Sequence, residues 1–127
     1  MRNILKYCGL SFIILMLGCA AASAGDSISP QEASAMHAGQ KAVIVDVRED
    51  SEWNAGHIPG AIHIPLGQLN DRLSELKSYK DSPVITQCRS GARSAKALDL
   101  LKLAGFSNVY NMDGGIVAWD KAGLKTE

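Results

Sequence analysis

The chain has 127 residues, and its 13 Lys and Arg balance 13 Asp and Glu, giving a formal net charge of zero. This length allows one domain at most. No basic stripe interleaved with aromatic residues occurs along the chain, so the charge pattern excludes a nucleic-acid-binding protein.

The first 24 residues have the pattern of a secretory signal peptide. Arg2 and Lys6 form a short basic region, residues 10–17 are almost entirely apolar, and residues 22–24 form a small-x-small cleavage signal. The whole stretch from residue 10 to residue 24 is about fifteen residues long, short of the roughly 20 that span a bilayer. We therefore predict that residues 1–24 are removed and that residues 25–127 form an exported, periplasmic domain.

A lipid anchor is the alternative reading of this region. Residues 16–19, Met-Leu-Gly-Cys, resemble the lipobox of bacterial lipoproteins, in which Cys19 would be acylated and would hold the domain at the membrane. Cys8 and Cys19 both lie in the leader, so a chain cleaved after Ala24 keeps Cys88 alone. A single thiol excludes an intramolecular disulfide and favours a chemical role for Cys88.

Helices and strands are predicted to alternate along the rest of the chain. Ser29 and Pro30 predict the start of a first helix, after an exposed lead at residues 26–27. The later segments are a buried strand at 42–47, a helical turn at 51–55, a strand at 61–64, an amphipathic helix at 66–76, a strand at 83–86, a helix at 95–103, a strand at 108–111 and a helix at 116–121. This order predicts a single α/β domain with a central parallel sheet and helices on both faces.

Cys88 lies between a predicted strand and a predicted helix. The backbone N–H groups at the start of that helix, together with Arg89 and Arg93, favour an anion and would lower the pKa of the thiol. Gly91 lets the backbone turn with a positive φ. We predict a thiolate nucleophile; the alternative is a small buried side chain with no chemical role.

Asp46 and Arg48 are predicted to lie near the mouth of this loop, because neighbouring parallel strands end at the same edge of a sheet. We expect them to support the site through an ion pair, with Glu52 as a candidate partner of Arg48. His57 and His63 have no second ligand at a suitable spacing, so no metal site is predicted.

Four separated blocks together resemble the single-domain form of the rhodanese family. These are Asp-Val-Arg-Glu at 46–49, Glu-Trp-Asn-Ala-Gly-His-Ile-Pro-Gly-Ala at 52–61, Cys-Arg-Ser-Gly-Ala-Arg-Ser at 88–94 and Asp-Gly-Gly-Ile-Val-Ala-Trp at 113–119. The similarity extends over about residues 28 to 124.

The resemblance implies a sulfurtransferase that needs no cofactor. Cys88 would take the outer sulfur of an anionic donor such as thiosulfate and carry it as a persulfide. The amides of Arg89, Ser90, Gly91, Ala92, Arg93 and Ser94 would hold the persulfide, and the two arginines would attract the donor. The acceptor would be cyanide, a small thiol or the thiol of a partner protein.

Two other functions stay open. Phosphatases and arsenate reductases of the same fold place an arginine six residues after the cysteine, whereas this chain has Ser94 there and Arg93 one residue earlier. An exported binding module without activity is the second alternative. Members of that kind usually lose the cysteine, which this chain retains.

Overall fold

The computed structural model describes residues 26–127. The strands are β1 (Ser27–Ile28), β2 (Val43–Asp46), β3 (Ile62–His63), β4 (Val84–Gln87) and β5 (Val109–Met112). The helices are α1 (Pro30–Ala38), α2 (Asp50–Ala55), α3 (Ala92–Leu103) and α4 (Gly115–Lys121), and two 3₁₀ helices, Leu66–Gln68 and Asn70–Tyr79, precede β4. The predicted signal peptide and Cys19 lie outside the described residues.

The five strands form one parallel sheet in the order β1-β5-β4-β2-β3. The predicted parallel α/β fold is therefore confirmed. In the register of β2 with β4, Asp46 lies beside Gln87. The residues that follow these two strands therefore meet at the carboxyl edge of the sheet, where ligands bind in open α/β folds.

Side chains on alternate strand positions pack into two separate cores. Val43 and Val45 of β2 belong to a core that α3 and the 3₁₀ helices cover, whereas Ile44 belongs to a core that α1 and α4 cover. Both faces of the sheet are therefore buried, which explains the uninterrupted apolar run of β2. This arrangement confirms that helices lie on both faces.

The start of α1 follows the predicted capping pattern. The Ser29 hydroxyl accepts a hydrogen bond from the Glu32 N–H at 3.1 Å, and Pro30 occupies the first helical position. Pro30 has no N–H group to leave unpaired, and its fixed φ suits the first turn.

Two local predictions were wrong. Ser27, interpreted as part of an exposed lead at residues 26–27, forms β1 together with Ile28, and both residues pair with β5. The segment predicted as one amphipathic helix at 66–76 consists of two 3₁₀ helices, and the second continues to Tyr79. Leu66 and Leu69, like Leu73 and Leu76, are three residues apart, a spacing that suits three residues per turn.

Within residues 26–127, no helix is long and apolar enough to cross a membrane.

Candidate active site

Cys88 lies directly after β4, at the carboxyl edge of the sheet. Its side chain is only 1% exposed. Gly91 precedes α3 with a φ of 115°, a left-handed conformation that favours glycine. The chain from Cys88 to Gly91 therefore curls around the sulfur before α3 begins.

The Cys88 Sγ atom receives hydrogen bonds from the loop that surrounds it. The Gly91 N–H lies 3.0 Å from Sγ, and the Ser94 hydroxyl oxygen lies 3.3 Å away. Burial raises the pKa of the thiol, but the Ser94 hydroxyl and three backbone amides outweigh burial and bring the pKa below that of an ordinary thiol. These amides belong to Ser94, Gly91 and Ser90. The geometry therefore favours a thiolate, as the sequence predicts.

The amino-terminal end of α4 holds the outer side of the loop. The Ile116 N–H donates to the Cys88 carbonyl at 2.9 Å, and the Val117 N–H donates to the Arg89 carbonyl at 3.1 Å. The Gln87 side-chain amide also donates to the Cys88 carbonyl, at 2.9 Å. In a planar trans peptide the carbonyl and the N–H point in opposite directions. The carbonyls that face α4 therefore direct the next N–H groups towards the inside of the loop.

Gly115 makes this close approach possible. Its φ is 57°, and a Cβ atom built on it would overlap the carbonyl groups of Cys88 and Arg89. Glycine adopts this left-handed conformation readily and has no side-chain atom that would overlap the two carbonyls. Gly115 therefore supports the loop directly.

Arg93 forms an ion pair instead of standing free at the mouth of the loop. Its guanidinium donates to the two carboxylate oxygens of Glu52 at 2.6 and 2.9 Å. The hydrogen bonds from Arg93 lower the pKa of Glu52 to about 2, and Glu52 in turn raises the pKa of Arg93. Much of the positive charge expected of Arg93 is therefore neutralised, and the hydroxyl and amide hydrogen bonds, more than the arginines, stabilise the thiolate.

Arg89 is the cation left available to a ligand. Its side chain is exposed and has no hydrogen-bond or ion-pair partner in the described part of the chain. It lines a groove of about 450 Å³ between α2 and α4, together with Glu52, Val117 and Asp120. An anion that enters this groove would meet Arg89, the residue that follows Cys88 in the chain.

Asp46 and Arg48 form a buried, doubly hydrogen-bonded pair. The Arg48 Nε atom lies 3.0 Å from both carboxylate oxygens, and a terminal nitrogen lies 2.7 Å from one of them. Arg48 also donates to the backbone carbonyls of Glu52 and Gly56. The partner of Arg48 is therefore Asp46, and the expectation that the Glu52 carboxylate fills this place was wrong. The pair connects the end of β2 to α2.

His57 and His63 make hydrogen bonds to backbone carbonyls. A ring nitrogen of His57 lies 3.0 Å from the Trp53 carbonyl, and one of His63 lies 2.7 Å from the Arg48 carbonyl. Both imidazoles stack on the Trp53 ring, with centroid distances of 3.7 and 4.8 Å. Among residues 26–127, no three His, Cys, Asp or Glu side chains are grouped as metal ligands. These contacts give both histidines a structural role beside α2.

A model of the rhodanese-like domain matches residues 29–122 of this chain. The chain belongs to this family. The rhodanese-like domain is 39% identical over 92 residues to the thiosulfate sulfurtransferase GlpE of Pseudomonas entomophila, covering 72% of this chain and 82% of that protein. The family resemblance of the four sequence blocks is thereby confirmed.

Two longer proteins contain a similar domain. The chain is 37% identical over 117 residues to the probable adenylyltransferase/sulfurtransferase MoeZ of Mycobacterium tuberculosis, covering 91% of this chain and 29% of that one. The crystal structure of a thiosulfate sulfurtransferase from Pseudomonas aeruginosa matches with a TM-score of 0.74 and 30% identity, over 84% of this chain and 21% of that chain. This rhodanese-like domain therefore spans less than a third of either protein.

Proposed function

We propose that this rhodanese-like domain is a sulfurtransferase that moves a sulfane sulfur from an anionic donor, such as thiosulfate, to a thiophilic acceptor. The observation that carries the proposal is the surroundings of Cys88 Sγ. The Gly91 N–H and the Ser94 hydroxyl lie within 3.3 Å of that atom. Such donors stabilise a thiolate nucleophile and the anion that it forms.

The first half of the reaction loads the cysteine. The Cys88 thiolate attacks the outer sulfur of thiosulfate, and a new bond forms between Sγ and that sulfur. The bond from the outer sulfur to the sulfonate sulfur breaks, and its electron pair leaves with sulfite. The negative charge now lies on the outer sulfur of the persulfide, where the amides from Arg89 to Ser94, including that of Ala92, would hold it.

The second half unloads the cysteine. Cyanide attacks the outer sulfur, thiocyanate leaves, and the electron pair of the broken sulfur–sulfur bond restores the thiolate. A thiolate acceptor, from a small molecule or a partner protein, would take the sulfur in the same way and become a persulfide. Because the Cys88 side chain is 1% exposed, the attacking atom must enter the loop at the end of a slender group.

Recruitment of the donor is assigned to Arg89. Its side chain is exposed beside the groove, whereas Arg93 is bonded to Glu52. An exposed cation on the residue next to Cys88 would attract the dianionic donor and offset charge on the departing sulfite.

The test is a steady-state assay of thiocyanate formation from thiosulfate and cyanide, with Cys88→Ser as the matched control. We expect turnover by the native chain and none above background by the variant, because a hydroxyl does not replace the thiolate. Hydrolysis of p-nitrophenyl phosphate in the same preparation, without thiocyanate formation, would contradict the proposal and favour the phosphatase alternative. No turnover of either substrate would favour the binding module.

We also propose that residues 1–24 direct export and that the domain works in the periplasm. The pattern of basic, apolar and small residues in the leader supports this. The test is cell fractionation combined with the intact mass of the recovered protein. A chain starting at Gly25 supports cleavage, one starting at an acylated Cys19 supports the lipid anchor, and a full-length chain in the cytoplasm contradicts both.

A further inference from the structure

Asn111 on β5 contacts the two residues that hold the Cys88 sulfur. Its side-chain oxygen accepts a hydrogen bond from the Ser94 hydroxyl at 2.6 Å, and its side-chain N–H₂ donates to the Gly91 carbonyl at 3.3 Å. The opposite orientation of the amide would place two oxygens against each other at Gly91. The contact with the Gly91 carbonyl therefore fixes the Asn111 oxygen towards Ser94.

The Ser94 hydroxyl has more acceptors around it than it can serve. The Asn111 oxygen lies 2.6 Å from Ser94 Oγ, the Gly91 carbonyl 3.1 Å and Cys88 Sγ 3.3 Å. A hydroxyl has one proton to donate. A hydrogen bond to Cys88 therefore requires that the proton turn away from Asn111, its nearest acceptor.

We propose that Asn111 is a positioning residue whose side-chain oxygen accepts the hydrogen bond of the Ser94 hydroxyl whenever Cys88 Sγ carries no negative charge, and that the hydroxyl turns to donate to Sγ when the thiolate forms. The proton stays on the serine throughout, and only the hydroxyl rotates. The inference rests on the proposed function in one respect, that the thiolate is the reacting form.

The proposal gives the hydroxyl a partner at each stage of sulfur transfer. In the thiol and in the persulfide Sγ is neutral, and the Ser94 proton turns to Asn111. In the thiolate the hydroxyl donates to Sγ instead, and the shorter hydrogen bond to the Asn111 oxygen is lost. Competition from Asn111 thus favours the neutral sulfur and keeps the pKa of Cys88 higher than Ser94 and the amides alone would set it.

Other charges near the loop stay constant in the test below. Arg89 lies on the loop, Arg93 on α3, Glu52 on α2 and Asp120 on α4, and the Asp46–Arg48 pair closes the end of β2. None of them makes a hydrogen bond to Asn111 or Ser94. Substitution of those two residues therefore changes the hydroxyl contacts without changing these charges.

The experiment titrates the Cys88 thiolate by its ultraviolet absorbance in the variants Asn111→Leu and Asn111→Asp, with Cys8 and Cys19 replaced by serine in every protein compared so that Cys88 is the one thiol that titrates. Both substitutions keep the branched shape of the side chain, and both lose the hydrogen bond to the Gly91 carbonyl. A loosened loop would therefore shift the titration midpoints of both variants in the same direction. Leucine offers the hydroxyl no acceptor, so we expect its titration midpoint to fall by about half a pH unit or more. Aspartate keeps the acceptor and adds a negative charge, so we expect its midpoint to rise.

The decisive comparison repeats the titration of Asn111→Leu in a protein that also carries Ser94→Ala. If Asn111 acts through the Ser94 hydroxyl, Asn111→Leu has no further effect on the midpoint when Ser94 is already alanine. A midpoint that rises or stays unchanged in Asn111→Leu, or a fall that persists in the double variant, would overturn the proposal. Asn111→Ala tests the same direction if leucine prevents folding.

The titration requires no sulfur donor or acceptor. Its result therefore stands apart from the thiocyanate assay, and failure of one does not imply failure of the other.

Discussion

The guanidinium of Arg93 donates to both carboxylate oxygens of Glu52, at 2.6 and 2.9 Å, and joins the first turn of α3 to α2. The two residues are 41 positions apart in the sequence. The pair fixes the position of Arg93 and at the same time neutralises a cation beside the reacting sulfur. Under the proposed function, an anionic donor would therefore meet less positive charge than the two arginines imply.

Glu52→Gln should therefore improve the use of thiosulfate. Glutamine keeps the capping contact at the start of α2 but leaves the Arg93 charge free to attract a dianion. We expect kcat/KM for thiosulfate to rise roughly two- to fivefold at low ionic strength and the gain to shrink as salt screens the charge. Glu75→Gln, which breaks the exposed Arg72–Glu75 pair, is the matched control and should change nothing. A fall in kcat/KM for Glu52→Gln would mean that the pair serves to position Arg93.

Ser94→Ala should raise the pKa of Cys88. The alanine removes the hydroxyl that lies 3.3 Å from Sγ, while burial, which opposes the thiolate, stays unchanged. Loss of one hydrogen bond to a charged group corresponds to an increase of roughly one unit in the pKa of that group. A raised pKa means less thiolate at a given pH, so the acid limb of the transfer rate should move to higher pH and the alkaline rate should recover.

The pH profile of alkylation by iodoacetamide, followed at the Cys88 peptide by mass spectrometry, measures this shift. Glu52 does not interfere, because its pKa of about 2 keeps it charged from pH 5 upwards. Ser90→Ala, on the same loop, keeps its amide and is expected to leave the profile in place. An unchanged profile in Ser94→Ala would show that the amides alone stabilise the thiolate.

Gly115→Ala should destabilise the domain and disrupt the loop together. The added Cβ would overlap the Cys88 and Arg89 carbonyls, and the φ of 57° is unfavourable for alanine. The conformation alone costs about 1–2 kcal/mol, so we expect a loss of at least about 2 kcal/mol in the free energy of unfolding. Gly67→Ala is the control, because its Cβ would have no atom within 4 Å. Urea unfolding of both variants checks this, and equal stability would contradict the packing argument.

Asp46→Asn should destabilise the domain far more than the loss of an exposed pair. Asp46 is fully buried and Arg48 is 5% exposed, so the substitution leaves a buried cation without its counter-charge. Breaking such a pair costs about 3–5 kcal/mol. Asp26→Asn, which breaks the exposed Asp26–Lys102 pair, should cost less than about 1 kcal/mol. Similar thermal unfolding of the two variants would show that the Asp46–Arg48 pair contributes little to stability.

Much of the fold could be predicted from local patterns. The serine and proline at 29–30 start a helix, the apolar run at 42–47 contains β2, and α3 ends at Leu103, as expected. These features depend on residues close together in the chain. β1 was missed because a segment of two residues is too short to show the alternating pattern of a strand. The pairing of Ile28 with Met112 also depends on a strand that is distant in the sequence.

The site was predictable only in part. The position of Cys88 after a strand and before a helix indicated a candidate nucleophile, and Gly91 indicated the turn. The Ser94 hydroxyl was missed because the sequence drew attention to its backbone amide. The contacts of Glu52 with Arg93 and of Asn111 with Ser94 join distant segments, and no local spacing could have indicated them.

The persulfide on Cys88 is the central claim, and intact mass spectrometry of the purified protein tests it most directly. The mass is measured before treatment, after thiosulfate and again after cyanide, with Cys88→Ser treated in parallel. We expect thiosulfate to add the mass of one sulfur atom to the native chain, cyanide to remove it, and the variant to keep its mass throughout. No added sulfur on the native chain, or the same addition to Cys88→Ser, would contradict the proposed mechanism.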